Sequence, residues 1–201
     1  MIGFDRLKRK WIRFQLEEAA SVSVEAVLMA PLMVWAFVTT LQFFDAYRAE
    51  LISTKAAVTI ADMFSREDNP INPAYPNGTR DLLKFLTLAE NSPDYRVTVF
   101  FWRETQQDYR VVWGRNRGSR TNLTNDLLNE KAAALPKLVD GERAILLETW
   151  TDYTPKYGDG VGKFMSGTGL KALEFSTFIV TSPRFTPTLC WQQDPTADTR
   201  C

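Results

Sequence analysis

No charge interrupts the 19 residues from Ala26 to Phe44. Coiled as a helix at about 1.5 Å per residue, they reach about 29 Å, the thickness of a bilayer's hydrocarbon core. The apolar character begins at Ser21, so residues 21–44 are expected to cross a membrane once. Inside its first turns stands one acid, Glu25, and six residues further comes Pro31. A carboxylate within a spanning helix is costly without a partner or a path to water. At the cytoplasmic interface it would reach water at little cost; deeper, it needs a cation.

Residues 1–20 form a basic leader with Arg6, Lys8, Arg9, Lys10 and Arg13. The excess of bases before the apolar run, and its lack after Phe44, orient the leader toward the cytoplasm and the remainder outward. A cleaved secretory signal would have a shorter apolar region and a small-x-small site behind it. Here Phe43-Phe44-Asp45-Ala46-Tyr47 follows instead, so a retained anchor is expected.

No Gly or Pro occurs from Asp45 to Glu67, and Phe44, Tyr47, Leu51, Thr54, Val58 and Ala61 recur at steps of three and four. The helix therefore continues as a rod to about Arg66, with an extension over residues 45–66. Its apolar stripe is expected to pack on the protein's own outer domain rather than on another chain. Pro70, Pro73, Pro76 and Asn77-Gly78 mark residues 67–78 as a linker.

The outer domain, residues 79–201, reads as α+β. A short helix is expected over Thr79–Asn91, with Thr79 as N-cap and Leu82, Leu83, Phe85, Leu86 and Leu88 buried. Alternating runs at Tyr95–Arg103 and Tyr109–Trp113 predict a hairpin around Glu104–Asp108. A second helix over Asn122–Leu135 and strands at Arg143–Tyr153 and Ala172–Thr181 complete a small antiparallel sheet with short helices.

Chemistry is sparse. With no histidine in the chain, Ser-His-Asp catalysis and imidazole-based zinc sites are excluded. The leader holds five bases and three acids of the chain's 24 and 24, leaving 19 bases against 21 acids beyond it. That is no footprint for nucleic acid. The run Gly158–Lys163 is not a phosphate loop, because Tyr157 replaces the first Gly and Phe164 follows the lysine. Glu148, Asp152 and Asp159 show no spacing that selects a hydrolytic pair, and read as scattered surface acids. No catalytic, cofactor or metal site is expected. Cys190 and Cys201 would close a small loop in an oxidising compartment, or stand as two thiols in a frayed tail. The competing functional reading is a membrane-tethered module binding a glycan or protein through exposed Trp102, Trp113 or Trp150, although their alternating strands favour core positions.

The leader, then Val24-Glu25-Ala26-Val27-Leu28-Met29-Ala30-Pro31, then a long helix, resembles the TadE-like pseudopilins of the bacterial tight-adherence (Flp-type) pilus system. Tyr153-Thr154-Pro155 and the stretch from Leu173 to Pro187 add weaker support. Two positions depart from that family: Ala20 stands where Gly is usual before the cut, and Ala26 replaces an aromatic residue. The resemblance implies a non-catalytic protein of the inner membrane with a periplasmic domain. A prepilin peptidase would trim it between Ala20 and Ser21, and it would work with other pilins or pseudopilins and the pilus assembly machinery. It also implies that Glu25 pairs with an N-terminal amine, its own or a neighbour's.

Overall fold

The computed structural model describes residues 18–155 and 172–193, together with 199 and 201. The protein is α+β: a long apolar N-terminal helix followed by a four-stranded antiparallel sheet and short helices. Helix α1 runs from Glu18 to Ser65 and passes through Pro31 without a break. It is long and apolar enough to cross a membrane, and its most apolar window, of mean hydropathy 1.8, is wholly unburied. The chain divides into two units, Met1–Asp45 with Pro155–Leu170 and Ala46–Thr154 with Lys171–Cys201.

The second unit is built on the sheet. Strand β1 is Asp94–Arg103, β2 is Asp108–Arg117, β3 is Arg143–Tyr153 and β4 is Leu173–Thr181. They lie in the order β2-β1-β3-β4. Each face carries its own core. On one, Ala56, Ile60, Ala61 and Phe64 of α1 meet Tyr95, Val97, Val99, Ile145 and Leu147. On the other, Leu123, Leu128 and Leu135 cover Phe100, Ala144 and Leu146. A register shift between Val99 and Phe100 lets β2 feed both cores. It turns Tyr109 toward the second face and Trp113 toward the first.

Helix α2, Tyr75–Thr87, begins inside the stretch expected to be a linker. Pro76 sits in its first turn, where a missing N–H costs nothing. The Asn72 carboxamide oxygen accepts from the N–H groups of Ala74 and Tyr75, 3.0 Å each. Thr79 is thus not the N-cap; it lies within the helix and donates to the Tyr75 carbonyl. Only Leu83 of the expected leucine and phenylalanine face is fully buried; Leu86 packs on the first core, while Leu82, Phe85 and Leu88 are exposed. The second expected helix shrinks to α3, Asn125–Glu130, capped by Thr124, and a 3-10 turn at Ala132–Ala134. Its Asn129 side chain accepts from the Tyr109 N–H and donates to the Tyr109 carbonyl, and Asn125 accepts from Val111 N–H. Two asparagines thereby close the free edge of β2.

Between β2 and α3 the chain turns at Gly118 with φ +117°, and a Cβ there would lie 1.7 Å from Asp94 Oδ1. Glycine is needed because the Asp94 carboxylate accepts from Ser119 N–H (2.8 Å), Ser119 Oγ (2.6 Å) and Arg80. Burial alone would raise the Asp94 pKa, but these bonds and the charges of Arg80 and Arg120 outweigh it and hold the carboxyl below its ordinary range. Gly118→Ala should cost about 1–3 kcal/mol, seen as a lowered denaturation midpoint, because it adds backbone strain and expels the carboxylate together.

The tail returns over the first core. Ile71 N–H donates to the Cys190 carbonyl (2.8 Å), Gln192 N–H to the Ile71 carbonyl (3.0 Å) and Trp113 Nε1 to the Leu189 carbonyl (2.8 Å). Arg115 lies 4.1 Å above the Trp191 ring. Cys190 and Cys201 are joined by a disulfide. The glycine-rich run with Asp159 falls outside the described residues.

Candidate functional site

The residues singled out for assembly all lie on α1. Ala20 and Ser21 are in its first turn, Glu25 one turn on, and Pro31 within the same continuous helix. The surrounding surface is apolar and unburied. Val27 and Leu28 are 72 % and 68 % exposed, and Leu32, Met33, Val34 and Phe37 are exposed as well. Burying each such side chain releases about 1.5–3 kcal/mol, so a run of them holds the helix in lipid or against other apolar helices. Glu25 is exposed on this helix, and no cation of the described residues is ion-paired to it. Its partner, if it has one, comes from outside those residues.

From Ala46 to Ser65, α1 shows two apolar faces. One is docked on the sheet and made mostly of small residues, Ala46, Ser53, Ala56, Ala57, Ile60, Ala61 and Phe64. Small side chains let the helix lie close to the strands, where Ser53 Oγ meets Thr151 Oγ1 at 3.2 Å. The expected stripe is the other face. Apart from Ala61, its members Phe44, Tyr47, Leu51, Thr54 and Val58 are exposed. Periodicity locates an apolar face but not what covers it, and the helix has two such faces to choose from.

Elsewhere the sequence reading missed an ionic cluster. Glu148 is not a surface acid but is 2 % exposed on β3. Arg96 donates to it through Nε (2.7 Å), with Nη2 2.6 Å from the same oxygen, and Lys131 Nζ lies 2.6 Å from the other oxygen. Arg96 also donates to the Thr121 carbonyl. Both oxygens of the carboxylate thus meet a cation of the chain, which makes it a clamp between β1, β3 and the segment around α3. The period-two pattern offered a signal, since Glu148 sits in line with inward-facing Ala144 and Leu146. Asp152 is exposed. Among the described residues no three acids or cysteines converge on a metal site.

The tryptophans of the ligand-binding reading are occupied. Trp113 is buried, and Trp102 is half-buried with its ring centroid 4.7 Å from that of Tyr109. Trp150 is half-buried, with the Arg96 and Arg120 guanidinium groups 5.3 and 5.0 Å from its ring centre. Trp113 is thereby withdrawn from any ligand, while Trp102 and Trp150 keep part of their surface exposed. Compared with protein-family models, curated proteins and solved structures, the chain finds no match.

Proposed function

We propose that this chain is a single-span, pseudopilin-like protein that takes part in assembling a tight-adherence-type pilus and catalyses nothing itself. On this reading the leader is cytoplasmic, residues 21–44 cross the bacterial inner membrane and the α+β domain stands in the periplasm. The observation that carries it is the pairing of Glu25 with Pro31, six residues apart, on an exposed apolar helix that continues into a folded domain. A carboxylate on a lipid-facing helix would be stabilised by an amine presented within lipid, and a cut between Ala20 and Ser21 would create one. Against the alternative, a periplasmic glycan- or protein-binding module, stands the burial of Trp113 and the packing of Trp102 and Trp150 on neighbouring side chains.

Two measurements test the proposal. Intact mass of the membrane-extracted chain should reveal a species beginning at Ser21 when a prepilin peptidase is present. Glu25→Ala should leave the outer domain's melting curve unchanged while abolishing surface fibres. Unaltered piliation in that variant would remove the role assigned to the acid.

A further inference from the structure

The outward stripe of α1 has a spacing and a charge pattern that select one occupant. Tyr47, Leu51, Thr54 and Val58 follow at steps of four, three and four, the a/d repeat through which two parallel helices interlock. Tyr47 is 61 % exposed, Leu51 43 % and Val58 52 %. The domain's own core uses the other face of the helix, so among the described residues this seam is left uncovered.

The charges beside the seam are complementary to those of the same seam in another copy. With Leu51 at position a and Thr54 at d, Glu50 takes the preceding g position and Lys55 the following e position. Both are exposed, and neither is ion-paired within the described residues. In a parallel pair, a g side chain meets the e side chain five residues further along the partner helix. Glu50 then faces Lys55 of the second copy, and the two-fold axis repeats the contact. In an antiparallel pair g faces g and e faces e, so Glu50 and Lys55 of the two copies would not meet. We propose that two copies of this chain pair in parallel through Tyr47, Leu51, Thr54 and Val58, with Glu50 and Lys55 forming reciprocal ion pairs between them. The common direction of the helices rests on the membrane reading above. Two heptads make a small interface for free chains in water; chains confined to one bilayer meet at a far higher effective concentration.

Cysteine scanning of the full-length chain in membranes decides the matter. Cys190 and Cys201 are bridged, so an introduced cysteine is the lone thiol. Thr54 and Thr59 make a matched pair: both are exposed, and each hydroxyl donates to the carbonyl four residues earlier. Only Thr54 lies on the seam. Mild oxidation should link Thr54→Cys into a species of twice the mass of the unlinked chain and leave Thr59→Cys single. Adding Glu50→Lys to Thr54→Cys should lower the linked fraction roughly fivefold by replacing attraction with repulsion. Adding Lys55→Glu as well should restore it. Equal linking of both cysteines, no linking of Thr54→Cys, linking to a chain of another mass, or failed restoration would each overturn the pairing. Fractionating the same cells separates the two ideas. A membrane-bound chain that does not link sinks the seam alone, and a linked chain found free of membranes sinks the membrane reading alone.

Discussion

Glu148→Ala should destabilise the outer domain by about 3–5 kcal/mol, the range for removing one partner of a buried, hydrogen-bonded ion pair. The loss comes less from the missing attraction than from what stays behind. Arg96, with 9 % of its side chain exposed, would keep a full charge in a site shaped around a carboxylate. Lys131, 39 % exposed, can turn to water and contributes less. The measurement is a denaturation midpoint of the full chain in detergent, followed by tryptophan fluorescence. Replacing both buried partners, Arg96→Met with Glu148→Leu, should recover much of the loss, because the pair repays its desolvation only while intact. A single alanine variant as stable as the parent would mean that the cluster is solvated and clamps nothing.

Phe64→Ala should cost about 3–5 kcal/mol, whereas Val58→Ala should change stability by no more than about 0.5 kcal/mol. Phe64 is fully buried, its ring 5.6 Å from that of Tyr75, in the core shared by α1, α2 and the sheet. Its removal leaves a cavity where the helix meets the first face. Val58 stands on the opposite stripe and is half exposed, so truncating it removes little that the folded chain uses. The same thermal melt serves both variants. The order of the two costs is what matters: if Val58→Ala proved the more damaging, the outward assignment of the stripe would be reversed.

How much of this was legible before folding depends on the range of the interaction concerned. Helix α1, the four strands and the antiparallel α+β class follow from local patterns: an uncharged apolar run, three- and four-residue steps, and alternation. The boundaries at α2 failed because Pro and Asn-Gly are ambiguous alone. Pro76 opens a helix when Asn72 is placed to cap it, and Asn77 and Gly78 then fall inside the first turns. Gly118 needed the position of Asp94, a residue 24 places earlier, before its role was visible.

Sequence alone determined that residues 26–44 form a helix suited to lipid, that an acid sits within the apolar stretch, and that no histidine chemistry is available, because these properties belong to single segments. Only the tertiary structure decided which face of α1 docks on the sheet, that Glu148 is enclosed by Arg96 and Lys131, and that Trp113 is buried. Those outcomes depend on which residues distant in the chain meet across the sheet. A helix with two apolar faces, or an acid in an alternating strand, does not carry that information in its own neighbours.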